Sequence, residues 1–134
     1  MSQYQGSCLC GDVRYVIDGE FESFYLCHCS RCRKGTGSAH ASNLFSTSAS
    51  LAWQSGEQHV ASFTLPGSHH SRSFCKQCGS ALPGLHMGGK LLMVPAGSLD
   101  SAVSLRPNAH LCVSSRADWD HELEHVDQLD GLPG

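Results

Sequence analysis

Little of this 134-residue chain is charged: Lys, Arg, Asp and Glu make up 16% of it, where a quarter is usual. The imbalance of sign is small too, a net −3 at pH 7, so nothing in the totals draws the chain towards nucleic acid or an anionic membrane surface. Aromatic residues are only 7%, and no long basic patch with interleaved aromatics occurs, which further disfavours a nucleic-acid interface. No apolar run approaches the ~20 residues that a membrane span requires. The opening MSQYQGSCLCG has neither a basic segment leading into an apolar run nor a small-residue cleavage site. The expectation is therefore a cytoplasmic protein whose thiols are kept reduced. Internal repeats and linkers are missing as well, and the length suits a single domain over 1–134, with a core at about 5–120 and a polar tail at 126–134.

Cysteine is not scarce. Eight cysteines and fourteen glycines suggest a turn-rich, strand-rich fold that leans on a metal as well as on apolar burial. In a reducing compartment such thiols read as metal ligands rather than disulfides. The densest group is Cys27-His28-Cys29-Ser30-Arg31-Cys32, three thiols in six residues. They are too close along the chain to pair comfortably with one another, yet they can converge on one ion. Zinc suits clustered thiolates because sulfur is a soft ligand and tetrahedral geometry costs this ion nothing. Three ligands leave one position open, and open positions belong to catalytic zinc rather than structural zinc.

Around this group the pattern is one of strands. Val13, Tyr15 and Ile17 alternate with polar neighbours up to the Asp18-Gly19 turn, and Phe21 to Leu26 forms a second strand that delivers the triple. After the triple, KGTGSAH reads as a loop and SNLF as a strand start. Two strands flank a turn near Ser55-Gly56. Leu82 to Val94 reads as a hairpin turning at Gly88-Gly89. His110 to Ser114 makes a last strand, and Ala117 to Val126 a short helix.

The remaining thiols fall into the pairs Cys8/Cys10 and Cys75/Cys78 and the single Cys112. Joining the two pairs gives a closed four-thiolate site that ties the start of the chain to its middle. A rival partition adds Cys112 to the triple and closes it, making both sites structural. A lone cysteine among apolar residues is most often a small buried hydrophobe, and that reading of Cys112 is preferred.

SCLCGDVRY, YLCHCSRCRKGTGS, SFCKQCGSAL, AGSLD and HLCVSSRADW stand in an order and spacing that resembles the glutathione-dependent formaldehyde-activating enzyme (GFA) family, which includes the centromere-protein-V-like proteins. The resemblance runs from Cys8 to Trp119. It implies a mainly β, zinc-stapled, Mss4-like (β-tent) domain with little helix. It also implies two zinc ions per chain: a structural one on Cys8, Cys10, Cys75 and Cys78, and a second on Cys27, Cys29 and Cys32 with an open position. The implied chemistry is that of a carbon–sulfur lyase, the making and breaking of a thiol–aldehyde adduct, with glutathione as co-substrate and formaldehyde or a related aldehyde as partner.

The residues themselves agree with such chemistry. Three thiolates on Zn2+ leave a net −1, a site better suited to holding a substrate thiol as thiolate than to making hydroxide. Arg31, Arg33 and Lys34 offset that charge, and Arg33 or Lys34 is placed to meet a carboxylate of the thiol substrate. The plainer reading is that these are solvated surface charges. His28, flanked by ligands, is expected to point away from the metal and support the loop from behind. His40 and His86 are candidate proton shuttles.

His121-Glu122-Leu123-Glu124-His125 matches the H-E-x-x-H of metalloproteases, but no His or Cys follows that could supply a third ligand, and the match reads as chance. The alternative to an enzyme is a catalytically silent zinc-binding interaction module. The sequence leaves room for a homo-oligomer.

Overall fold

The computed structural model describes residues 2–134. Eleven strands and one helix follow one another: β1 (Gln3–Ser7), β2 (Arg14–Asp18), β3 (Ser23–Cys27), α1 (Ser30–Thr36), β4 (Ala41–Ser46), β5 (Ser50–Ser55), β6 (Val60–Thr64), β7 (Ser71–Cys75), β8 (Ala81–Leu82), β9 (Gly84–His86), β10 (Leu91–Pro95) and β11 (Ala109–Leu111). They assemble into three sheets, ordered β1-β2-β5, β11-β3-β4-β10-β9 and β6-β7-β8. Every pairing is antiparallel except β11 with β3. The mainly β expectation holds.

Alternation decides which side chains enter the core. Val13, Tyr15 and Ile17 are buried, with Tyr4 from β1 beneath them, and Leu44, Leu92 and Val94 come from the five-stranded sheet. Gly6 lies opposite Tyr15. A Cβ there would sit 2.2 Å from the tyrosine ring, so only glycine lets that ring cross the strand. β1 itself is absent from the sequence reading, because QYQGS offers one apolar residue and a glycine, and its burial comes from Tyr15 folding over it.

The same alternation gives the five-stranded sheet a second face. Leu44 and Ser46 point into the core while Ala41, Asn43 and Phe45 point the other way; on β10, Leu92 and Val94 face the core and Met93 and Pro95 the opposite side. Cys27 lies opposite Ala41 in register and shares that second face, which carries the candidate site.

Four expectations need correction. Residues 30–36 form α1, where the stretch from Lys34 was read as loop. Its start is capped by Cys29, whose Sγ accepts the N–H of Cys32 at 3.3 Å, and its end by Gly37 at φ 69°, whose N–H returns to Arg33. The expected helix over Ala117–Val126 does not form. Only the 3-10 turn Leu123–His125 appears, after Glu122 at φ 48°, and Trp119, Leu123 and Val126 remain exposed, so an amphipathic helix has nothing to bury against. The last strand stops at Leu111. Cys112 then takes a left-handed conformation (φ 56°) and its thiol is exposed rather than buried, because β11 is a three-residue edge strand with no core behind its end. The two strands expected around Ser55-Gly56 are present as β5 and β6, in different sheets.

Candidate metal centres

The thiols gather into two groups. Sγ atoms of Cys8, Cys10, Cys75 and Cys78 all lie within 4.8 Å of one another, as do those of Cys27, Cys29 and Cys32. Two tight turns build the first group. Cys8 follows directly on β1, and its turn is held by Gly11 N–H on Cys8 O (3.1 Å) and Cys8 N–H on Val13 O (3.0 Å). Cys75 closes β7, with Gly79 N–H on Cys75 O at 2.8 Å. Ser80 joins the turns by accepting the N–H of Leu9 at 2.8 Å, a link that spacing alone does not reveal.

A zinc–thiolate tetrahedron with bonds of about 2.3 Å sets its sulfurs roughly 3.8 Å apart. Cys8 to Cys10 is 3.5 Å and Cys10 to Cys75 is 4.0 Å, so the donor set and its spacing fit zinc. Cys78 is held down at about 5 by the hydroxyl and N–H of Ser80. Cys10 has the N–H of Asp12 favouring its thiolate, yet hydrogen bonding with Cys8 pushes it up to about 12.

The second group occupies the junction of β3 and α1. Burial raises Cys27 and Cys32. Burial works in the same direction on Cys29 but is outweighed by the N–H of Cys32, and its thiol is lowered. Cys27 and Cys32 open into a cleft of about 500 Å3 between the second face of the five-stranded sheet, α1 and the β7–β8 edge. Arg31, His69, His70, Arg72 and His86 line the same cleft. Arg72 reaches it from β7, its guanidinium 5.4 Å above the Phe74 ring.

Of the cationic residues singled out beside the triple, Arg31 lines the cleft and Arg33 and Lys34 do not. Arg33 instead donates from Nε to Ser115 O at 3.1 Å, and Lys34 is exposed. Arg72 is not among the cations singled out from the sequence, because facing a cleft across two sheets is a tertiary property.

The histidines separate in the same way. His28 is 4% exposed and turned from the thiols: its Nε2 is 2.8 Å from His110 Nδ1 and its Nδ1 3.0 Å from Asp120 Oδ2, the latter without the alignment of a full hydrogen bond. Its backbone N–H donates to Leu111 O at 2.9 Å. His40 packs against this cluster, 5.0 Å from His28 between ring centres, and not on the cleft. His86 is on the cleft, with Nδ1 3.3 Å from Ser71 Oγ. Burial, and then His70, lowers its pKa, so its imidazole is neutral at pH 7. His121 and His125 are exposed, beside Glu122 and Glu124, on no α-helix. Cys112 belongs to neither thiol group.

Residues 3–115 match the family described as glutathione-dependent formaldehyde-activating enzyme. The chain belongs to that family. A protein of Halomonas elongata named "Putative glutathione-dependent formaldehyde-activating enzyme" is 33% identical, over 92% of this chain and 83% of its own. An "uncharacterized lyase" of Schizosaccharomyces pombe is 25% identical, over 88% of this chain and 84% of its own. The crystal structure of a Rhodobacter sphaeroides protein superposes with a TM-score of 0.60 at 19% identity, covering 79% of this chain and 98% of that one, a likeness of fold. The two thiol groups lie within the part of this GFA-family chain that matches.

Proposed function

We propose that this chain is a zinc-dependent carbon–sulfur lyase that adds the thiol of glutathione reversibly to formaldehyde or a related aldehyde, with structural zinc on Cys8, Cys10, Cys75 and Cys78 and a second zinc on Cys27, Cys29 and Cys32. The observation that carries the reading is the opening of the three-thiol group into a cleft that also holds a neutral histidine. When bound by the triple, zinc supplies a Lewis-acid position that favours the ionised form of a substrate thiol.

The rest falls to the chain. Glutathione carries two carboxylates, and Arg31 and Arg72 give the cleft the positive charge to orient them beside a thiolate-rich site. His86 accepts the proton that the thiol releases. The sulfur then bonds to the carbonyl carbon, the C=O electron pair moves onto oxygen, and His86 returns its proton there to give the hydroxymethyl thioether. Cleavage runs the same steps backwards. The apolar floor of the cleft limits water around the adduct, which otherwise exchanges freely.

Zinc counting tests the reading. Two zincs per chain, one removed by mild chelation and protected by glutathione, together with faster exchange between glutathione, formaldehyde and S-hydroxymethylglutathione by NMR, is the expected result. Two inert zincs indifferent to thiols would replace it with the silent interaction module.

A further inference from the structure

The cleft is larger and more apolar than formaldehyde requires. Its floor is Phe45, Met93 and Pro95, outward-facing residues of β4 and β10, with Leu82 (1% exposed) at the bottom and Leu111 at the mouth. Phe45 and Met93 are direct cross-strand partners, so the floor is continuous apolar surface set by sheet register. A second hollow of about 460 Å3 shares Phe45, His69, Ser71, His86 and Met93 with the first and continues past Leu85 and Met87, which are 59% and 73% exposed. The charged side chains that line the cleft, Arg31 and Arg72, come from α1 and β7 rather than from the strands that make this floor. A one-carbon aldehyde leaves this floor in water, and glutathione, with its charged ends, gains nothing from it. Apolar wall of this extent is stabilised by an apolar occupant.

We infer that the electrophile taken by this site carries an apolar substituent, an alkyl or aryl aldehyde whose chain lies along Phe45 and Met93 while the thiol's carboxylates face Arg31 and Arg72. This rests on the thiol-addition reading above. The sulfur–carbon bond forms and breaks as already written, with the substituent unchanged.

S-alkylglutathiones mimic the adduct without reacting. Their affinity for the zinc-loaded full-length chain, measured by calorimetry from S-methyl through S-butyl to S-hexyl, is expected to rise up to fourfold for each methylene that becomes buried, and at least tenfold from methyl to hexyl. Met93→Gln, checked for retained zinc, is expected to flatten that series. In turnover, kcat/KM for the glutathione adduct of an apolar aldehyde such as phenylacetaldehyde is expected to exceed that for formaldehyde by tenfold or more. Affinity that is flat or falls with chain length, in a protein that still binds S-methylglutathione, overturns the apolar class and leaves thiol addition standing. Failure to bind any of the series or glutathione itself overturns thiol addition and this inference with it. The wild-type series decides the question even where the variant does not fold.

Discussion

Both thiol groups use cysteines in tight turns at strand ends, yet the turns are recruited differently. The four-thiol group draws one pair from the start of β2's approach and one from the end of β7, with Cys8 and Cys75 buried at 4% and 0% exposure and Ser80 bridging the turns. The three-thiol group comes from six consecutive residues, all three partly exposed, two of which, Cys27 and Cys32, line a cleft. Ligands distant in sequence turn a metal into a cross-link, because binding fixes segments that are independent in the unfolded chain. Ligands adjacent in sequence close almost no loop. A metal there contributes little to folding and is free to keep a position for substrate.

The largest effect that sharpens this contrast is expected from Cys75→Ser: loss of several kcal/mol and a Tm lower by roughly 15 °C or more, read by thermal circular dichroism. Cys32→Ser should leave Tm within a few degrees, lower zinc from two to one per chain by metal analysis, and cut turnover about 100-fold or more. Equal destabilisation by the two variants would break the comparison.

His86→Asn comes next, with kcat down about 100-fold in steady-state assays. Because burial, with His70 facing it, depresses the His86 pKa below 6.5, the imidazole stays neutral through pH 7, and the acid limb of kcat/KM lies below pH 6.5. The unfolded chain takes up this proton first, so the same group lowers stability as pH falls below 6.5. The variant should lose the limb; an unchanged limb would take His86 out of the reaction. The smallest effects belong to the cations. Arg72→Met is expected to raise KM for glutathione about tenfold, a charge-assisted contact of about 1.4 kcal/mol. Arg33→Met and Lys34→Met should change it less than about twofold, since neither side chain lines the cleft. A KM that follows Arg33 or Lys34 instead would restore them as the substrate's partners.

What could be read before the structure was local. Val13, Tyr15 and Ile17 alternate because each strand buries one face, and cysteines two or three residues apart in a turn with Gly11 or Gly79 converge whatever surrounds them. The family was readable in the same spaced groups. The rest depended on distant partners. β1 exists because Tyr15 covers Gly6, and Arg72 meets the cleft only once β7 packs beside α1. Trp119 and Val126 carry a helical spacing with no surface to receive it. Cys112 looked like a core residue by composition, but β11 is an edge that ends one residue earlier. The cap on α1 was missed because sulfur is not among the usual capping atoms, although Cys29 fills that role.

The parallel pairing of β11 with β3 sets Leu111 against Cys27, and the adjoining chain brings His110 and Asp120 to His28. During synthesis those buttresses are added long after the triple they support, His110 coming 82 residues after His28, whereas all four thiols of the other group are in place in the chain once Cys78 has been added. If both groups take zinc as proposed, the four-thiol one has all its ligands early on the nascent chain, and the three-thiol one gains its backing only when residues 109–120 arrive.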